Sequence, residues 1–196
     1  MKNALNKKNF LIFLKETSIN PKLNLNNLPG EGRTDLLCRL ISSTFFLSNS
    51  FRSDTNLFIF FQKESIMVVL YGNQIKNLMP DERSIGGFLK KIFKEIMGET
   101  QGNIKKSGEY SWDYCSLDDI ASTFSDGYIL EKNGTIVNDL IDKSEISKIF
   151  ILGDHIGLNE NDISYLTNFH KISLGDKELH ASSCIAIIHH YLDKND

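Results

Sequence analysis

The chain of 196 residues is 41% hydrophobic and 24% charged with a formal net charge of −3, an ordinary globular composition that excludes a disordered or fibrous protein. Its length suits one compact unit, so we predict a single domain over residues 1–196. The apolar stretch at residues 10–14 is too short to cross a membrane and no signal-peptide cleavage pattern follows it, so we expect a cytoplasmic protein without a membrane segment.

The first half of the chain alternates between strand and helix patterns. These patterns predict strands over residues 9–15, 56–61 and 66–71 and helices over residues 33–47 and 81–97. Asp35 falls in the first turn of the first helix, where a carboxylate is favourable, and Asp81 is positioned to cap the second.

The second half continues this alternation after a polar connector at residues 99–109. Ser116 and Asp119 have the spacing of a capping box and predict a short helix. Beyond it we predict strands over residues 127–130, 148–152 and 171–174, a helix from about residue 159 and a closing helix over residues 180–192. We expect His189 and His190 to act as cations at the C-terminus of the closing helix. Alternating strands and helices predict an α/β fold with a mainly parallel sheet flanked by helices.

Three consecutive strands of the second half end in unusual loops, YILEKNG, FILGDHIGL and ISLGDKELHASSC. Two of them repeat a Leu-Gly-Asp step. Glycine lets a backbone approach a ligand closely, and ligands of parallel sheets bind at the carboxyl ends of strands. Each loop alone is more often a plain turn, but three of them at one sheet edge indicate a binding site.

The charges are distributed unevenly along the chain. Residues 1–111 contain 16 Lys and Arg against 10 Asp and Glu, whereas residues 112–196 contain 6 against 15. This distribution has two interpretations: the charges only cover solvated faces, or the first half forms a cationic surface for a phosphate backbone.

The cysteines and histidines give no sign of a metal centre. The three cysteines, Cys38, Cys115 and Cys184, are far apart in the sequence and form no C-x-x-C pair, and the five histidines lack zinc-type spacing. We therefore expect neither a disulfide framework nor a bound metal.

The blocks LPGEGRTDLLCRL, LMPDERSI, FILGDHIGLN and KISLGDKELHASSCIAIIHHYLD resemble the archaeal-type tRNA pseudouridine-54 N1-methyltransferases of the SPOUT superfamily. The resemblance extends from about residue 10 to residue 193. It implies an α/β fold with a C-terminal deep trefoil knot, a homodimer, and S-adenosylmethionine bound by a knotted part at about residues 127–196. Residues 1–111 are then the basic N-terminal half.

The resemblance also implies residues that contact the cofactor. They are Leu130, Gly153, Asp154, Gly157, Ser173, Leu174, Gly175 and Cys184. Two positions depart from the family pattern, because Asp176 lies where proline is common and Ser183 replaces a common histidine.

The resemblance suggests a catalytic pair in the step Arg52-Ser53-Asp54, since related N1-specific enzymes carry an R-x-D at a comparable place. Asp54 would orient the base or remove the N1 proton, and Arg52 would hold a phosphate or the base edge. An ordinary aspartate pKa of about 3.9 suits orientation better than proton removal, unless burial raises it. Without the resemblance, this step would be interpreted as a surface turn before a strand.

The expected partner is the TΨC arm of tRNA. The residues predicted to bind it are Arg33, Arg39, Arg83 and Lys90. Arg83 has an equally acceptable interpretation as an ion-pair partner of Asp81 or Glu82. Two other functions stay open: N1-methylation of a ribosomal RNA pseudouridine, and a knotted domain that binds RNA without turnover.

Overall fold

A computed structural model describes residues 8–98, 108–124, 126–137 and 149–194. Within these ranges the chain forms seven strands and five α-helices. In chain order they are β1 (Lys8–Leu14), α1 (Thr34–Phe45), β2 (Thr55–Phe61), β3 (Ile66–Tyr71), α2 (Glu82–Gly98), β4 (Tyr110–Tyr114), α3 (Leu117–Thr123), β5 (Gly127–Ile136), β6 (Ile149–Gly153), α4 (Glu160–Ser164), β7 (His170–Ser173) and α5 (Ala181–Asp193). A 3-10 turn at Leu28–Gly30 precedes α1.

The strands form one sheet in the order β4-β3-β2-β1-β6-β5-β7. Strands β2, β1, β6, β5 and β7 are parallel, whereas β3 and β4 extend the sheet as antiparallel strands beyond β2. The predicted mainly parallel sheet is therefore confirmed. Strand β1 lies at its centre and is buried along its whole length, which explains its continuous apolar sequence.

Helices cover both faces of the sheet. Buried residues of α1, α2 and α5, among them Leu37, Ile92 and Ile185, share one apolar cluster with alternate residues of β1 such as Phe10 and Ile12. On the other face, Leu11 and Phe13 of β1 pack in a second cluster with Ile120 of α3 and with Leu166 and Phe169 beyond α4. Successive side chains of β1 thus point to opposite faces of the sheet, and helices pack against both faces, as expected for an α/β fold.

The capping signals in the sequence are confirmed. The Asp81 carboxylate accepts a hydrogen bond from the backbone N–H of Ser84 at 2.9 Å, and Ser116 and Asp119 form a reciprocal capping box. The start of α4 has the same arrangement between Asn159 and Asp162. Each cap satisfies backbone donors that the first helical turn leaves without partners.

Two strands differ from the sequence predictions. Strand β4 was not expected, although the alternation Tyr-Ser-Trp-Asp-Tyr has the two-residue period of a half-buried strand. Strand β5 continues beyond residue 130 to Ile136, and its register against β7 shifts between Leu130 and Thr135. The EKNG sequence therefore forms a bulge within the strand instead of a loop after it. Most of the predicted polar connector at residues 99–109 lies outside the described residues.

Helix α5 returns from the β7 edge to the centre of the molecule. There the His189 ring lies 4.9 Å from the Phe10 ring, and its Nε2 is 3.0 Å from the Thr44 carbonyl oxygen of α1. Burial, together with the nearby charge of Arg52, lowers the pKa of His189 to about 4. The expectation that His189 is a cation at neutral pH is therefore wrong, whereas His190 is exposed in the last turn.

Candidate functional site

A cavity of about 660 Å³ opens at the bulge of β5 and at the carboxyl ends of β6 and β7. The bulge and the loops that follow β6 and β7 are the three segments singled out in the sequence, and Leu36 and Leu40 of α1 complete the wall. All the residues predicted to contact a cofactor line this cavity: Leu130, Gly153, Asp154, Gly157, Ser173, Leu174, Gly175 and Cys184. Its volume is in the range of pockets for small ligands and cofactors.

The loop that follows β6 folds tightly against itself. A Cβ atom added at Gly153 would lie 2.5 Å from the carbonyl carbon of Gly157 and 2.8 Å from the backbone nitrogen of Leu158. Gly157 has a φ of 79°, a backbone conformation that residues other than glycine rarely adopt. The two glycines therefore allow this loop to turn back on the end of β6 and to present its backbone to the cavity.

Asp154 holds the same loop through backbone donors. Its Oδ2 accepts a hydrogen bond from the N–H of Lys15 at 2.8 Å, and its Oδ1 accepts one from the N–H of Ile156 at 2.9 Å. The backbone N–H of Asp154 donates in turn to the Phe13 carbonyl oxygen at 3.0 Å. Asp154 thus shapes the cavity wall by fixing the loop to the end of β1.

The loop after β7 has its own internal support. The backbone N–H of Gly175 donates to Ser173 Oγ at 3.2 Å, and that hydroxyl donates to the Gly175 carbonyl oxygen at 3.1 Å. Gly175 has a φ of 125°, a conformation open to glycine. Cys184 lies in the first turns of α5 beside this loop, and burial raises the pKa of its thiol.

Arg52 and Asp54 lie in an ionic cluster at the amino ends of β1 and β2. Lys8 Nζ lies 3.0 Å from Asp54 Oδ2 and 2.7 Å from Asp193 Oδ1 at the end of α5. Arg52 donates two hydrogen bonds to the Asp193 carboxylate, at 2.9 and 2.7 Å. Partial burial alone would raise the pKa of Asp54, but the hydrogen bond and charge of Lys8 outweigh it and lower the pKa.

This ionic cluster and the cavity lie at opposite ends of the central strands. Thr55 begins β2 opposite Lys8, whereas Gly153 of the cavity is in register with Phe13 at the far end of β1. Six residue steps, from Asp54 just before β2 to Phe60 opposite Phe13, separate Asp54 from the level of the cavity by about 20 Å. Helix α5 covers the same span, from the cavity at its first turn to the ionic cluster at its last. Asp54 therefore cannot reach a ligand in the cavity of the same chain.

The ionic cluster predicts a loss of stability in acid. Hydrogen bonds from Arg52 and Lys8 hold the pKa of Asp193 well below its ordinary value, so the folded state binds protons less readily than the unfolded chain. The stabilisation is complete above the unfolded pKa of about 4 and is lost as the pH falls through the folded pKa. We expect the melting temperature to drop below about pH 4, and Asp193→Asn to cost about 1 kcal/mol at pH 7 because Asp193 is half-exposed.

Thermal melts between pH 7 and pH 2 measure this effect. The Asp193→Asn protein should lose less stability over the acid range than the unmodified protein. Asp118→Asn is the control, because Asp118 is exposed on α3 at the other face of the sheet. An equal acid slope in the Asp193→Asn and unmodified proteins would contradict the assignment.

Arg33 and Arg39 both bond to one buried carboxylate, that of Asp35. Arg33 precedes α1 in a left-handed conformation, and its Nε donates to Asp35 Oδ1 at 3.0 Å. Arg39 Nη2 donates to Asp35 Oδ2 from one turn further on. Asp35 is 2% exposed, and the hydrogen bonds from Arg33 lower its pKa. From the sequence, Asp35 was expected only to favour the first turn of α1, although Arg33-Thr34-Asp35 is also an R-x-D step.

The other two predicted RNA-binding residues belong to α2 and contact the loop before α1. Arg83 Nη1 donates to Asn26 Oδ1 at 3.4 Å, and Lys90 Nζ donates to the Leu23 carbonyl oxygen at 2.6 Å. The structure thus links Arg83 to Asn26 and not to the neighbouring acidic residues considered from the sequence. Arg33 and Arg39 are 42% and 48% exposed in their side chains, so both keep donors available beside the cavity.

In the described part of the chain, no group of three or more His, Cys, Asp or Glu side chains is arranged to hold a metal ion. Across the same residues, no helix has both the length and the apolar character needed to cross a membrane.

Residues 7–196 match the family described as "Putative SAM-dependent RNA methyltransferase". Two curated relatives carry the name tRNA (pseudouridine(54)-N(1))-methyltransferase. The one from Methanococcus maripaludis strain C5 is 38% identical over 95% of this chain and 98% of its own length. The one from Methanocaldococcus jannaschii is 35% identical over 94% of this chain and 96% of its own length.

A solved structure has the same fold. Nep1 of Archaeoglobus fulgidus, bound to S-adenosylhomocysteine, superposes with a TM-score of 0.67 at 12% identity, covering 96% of this chain and 98% of Nep1. The mixed α/β sheet with helices on both faces is therefore shared across a large sequence distance.

Proposed function

The chain belongs to the family of S-adenosylmethionine-dependent RNA methyltransferases, and from this premise we propose that it methylates N1 of pseudouridine at position 54 of tRNA. The product in the TΨC arm is N1-methylpseudouridine. The observation that carries this proposal is the match at 38% identity over nearly the full length of both chains to a relative of that name. The cavity formed by the three predicted loops agrees with it. The protein works in the cytoplasm, where such a tRNA substrate is found.

The cavity fits S-adenosylmethionine in size and in chemistry. Apolar side chains of Leu130, Leu152 and Ile172 form walls suited to an adenine ring, and the loops at Gly153 and Gly175 expose backbone groups that suit its edge. When bound, S-adenosylmethionine supplies an electrophilic methyl group. The chain's own contribution is to hold the loops in place and to exclude water from the apolar end of the cavity.

The RNA lies over α1, α2 and the loop between β1 and α1. Arg33 and Arg39 offer guanidinium donors beside the cavity wall formed by Leu36 and Leu40. Asp35 orders both guanidiniums, through Nε and Nη2 of Arg33 and through Nη2 of Arg39, and Glu82 Oε1 lies 3.6 Å from Arg39 Nε. The two side chains therefore offer a phosphate their remaining N–H donors in fixed positions. Arg83 and Lys90 extend this cationic surface along α2.

The catalytic pair acts across a homodimer. In one protomer Arg52 and Asp54 are about 20 Å from the cavity, so a second copy must bring its ionic cluster to the cavity of the first. The Asp54 carboxylate has a lowered pKa and is ionised at neutral pH, which suits it to accept a hydrogen bond from the N1–H of pseudouridine. It orients the base for attack, and its low basicity makes it a poor acceptor for the proton itself.

The C-terminal part is threaded as a trefoil knot. The path of α5 supports this, because α5 leaves the β7 edge and returns over the sheet to contact α1 and the start of β1. The connection between β5 and β6, residues 138–148, lies outside the described residues.

Two matched tRNA transcripts test the proposed reaction, one with uridine and one with pseudouridine at position 54. We expect transfer of labelled methyl only to the pseudouridine transcript, with N1-methylpseudouridine identified by nucleoside mass analysis. Absence of transfer to either transcript, in a protein that binds S-adenosylhomocysteine, would overturn the tRNA assignment. A ribosomal RNA fragment containing pseudouridine then distinguishes another substrate from binding without turnover.

A further inference from the structure

Lys15 follows directly after β1, at the level where Gly153 ends β6. Its backbone nitrogen donates to the Asp154 carboxylate at 2.8 Å, at the beginning of the cavity loop. Its side-chain nitrogen lies 2.7 Å from Asp162 Oδ2, just past the end of that loop. One residue therefore contacts both ends of the segment that carries Ile156 and Gly157 along the cavity wall.

The second of these contacts is shielded from solvent. Asp162 is 0% exposed, and the Lys15 side chain is 13% exposed. Asp162 Oδ1 also accepts a hydrogen bond from Gln62 Nε2 at 2.9 Å, and Oδ2 accepts one from the Asn159 N–H at 2.9 Å. Removing one partner from such a buried, hydrogen-bonded pair leaves the other charge uncompensated, so the pair strongly favours one arrangement.

The tip of the loop between these anchors is held by polar contacts, among them one between His155 Nε2 and Glu16 Oε2 at 3.5 Å. Within it, the Gly157 N–H donates to the Asp154 carbonyl oxygen at 3.1 Å and the Ile156 N–H donates to the Asp154 side chain. Both bonds depend on where Asp154 lies. Ile156 is 50% exposed, whereas Leu158 packs against the second apolar cluster, so apolar packing holds the end of the loop but not its tip.

We propose that Lys15 is a positioning residue for the cofactor cavity: by tying Asp154 and Asp162 to the end of β1, it keeps the loop at residues 153–159 in the conformation that binds the cofactor. This inference rests on the proposed function, because it takes S-adenosylmethionine as the ligand. Lys15 does not line the cavity, so its effect passes through the loop.

The contacts of Lys15 with Asp154 and Asp162 raise the apparent affinity for S-adenosylmethionine, because they keep the loop in its binding-competent conformation. A ligand that binds only one loop conformation has its affinity reduced by the fraction of time the loop spends elsewhere. If the untethered loop is competent about a tenth of the time, binding weakens about tenfold.

The test compares Lys15→Met with Lys15→Arg and with Lys63→Met. Lys15→Met keeps the stem and the backbone N–H but removes the charge, and Lys15→Arg restores a donor to Asp162. Lys63 is the matched control, because it is an exposed lysine at the end of β2 whose Nζ contacts only the Glu16 carbonyl oxygen at 3.1 Å. The readouts are the Kd of S-adenosylhomocysteine by calorimetry and hydrogen exchange at the amides of Ile156 and Gly157.

We expect Lys15→Met to weaken binding about tenfold and to speed exchange at the two loop amides, with Lys15→Arg largely restoring both and Lys63→Met changing neither. The double variant Lys15→Met/Asp162→Asn leaves no uncompensated buried charge. If Lys15→Met alone folds poorly, the same two measurements are made on the double variant. Unchanged exchange and unchanged Kd in the folded variants would overturn the inference. Failure of the unmodified protein to bind S-adenosylhomocysteine would overturn the proposed function, while the exchange experiment still reports on the tether.

Discussion

Replacing Gly153 with alanine is expected to weaken the binding of S-adenosylhomocysteine by about ten- to a hundredfold. The added Cβ would lie 2.5 Å from the backbone of Gly157, which is closer than a real side chain can approach. The atoms in its way are backbone atoms, so the clash is relieved only by moving the loop that forms one wall of the cavity. Calorimetric titration with S-adenosylhomocysteine measures the loss.

A glycine that tolerates a side chain provides the control. Gly87 in α2 has no atom within 4 Å of an added Cβ, and alanine there should stabilise the helix by about 0.5–1 kcal/mol without changing ligand binding. If Gly153→Ala binds the ligand as tightly as the unmodified protein, the ligand does not depend on the wall formed by this loop. Denaturant titration of both variants separates a local effect from unfolding.

Mixing two inactive variants is expected to restore methyl transfer. Asp54→Asn damages the proposed catalytic carboxylate, and Gly153→Ala damages the cavity. If each site combines the cavity of one protomer with Asp54 of the other, a mixed dimer has one intact site. Random exchange of equal amounts then returns about a quarter of the activity of the unmodified protein.

The experiment follows methyl transfer to the pseudouridine transcript after the subunits have exchanged. Each variant alone must stay inactive under the same conditions, and size-exclusion chromatography must show that dimers form. No recovery in the mixture would contradict the composite site, because Asp54 would then take no part in the reaction. The mixture of Asp35→Asn with Gly153→Ala should not recover activity in this way. Asp35 lies on the helix that lines its own protomer's cavity, so a mixed dimer of these two variants has no intact site.

Much of the fold could be predicted from local pattern because its central strands are continuously apolar. Strands β1, β2 and β3 are buried nearly throughout, so their runs of Phe, Leu, Ile and Val are visible in the sequence. Strand β4 has only five residues and alternates polar with apolar positions, a weaker signal that was missed. The extension of β5 depends on pairing with β7 about forty residues later, which local pattern does not contain.

The candidate site likewise has a part that local sequence could predict and a part that it could not. The three segments that meet at the cavity could be predicted because glycines mark them and the parallel sheet brings them to one edge, whereas the individual cofactor residues came from the family resemblance. The surroundings of Asp54 could not, since Lys8 and Asp193 are distant in sequence and meet it only after α5 has packed. The prediction that His189 is a cation was wrong for the same reason. It rested on the local effect of a helix C-terminus, whereas the burial of His189 against Phe10 comes from tertiary packing.

The position of β6 in the sheet has a consequence for how the protein is made. Strand β1 is translated long before β6, one of its two neighbours in the sheet, which begins at Ile149. The Lys8 ammonium likewise pairs with Asp193, which lies 185 residues later in the chain. The apolar edge of β1 that pairs with β6 therefore stays unpaired while the intervening residues are synthesised. Such a chain depends on protection from aggregation during synthesis more than a protein whose neighbouring strands follow one another in sequence.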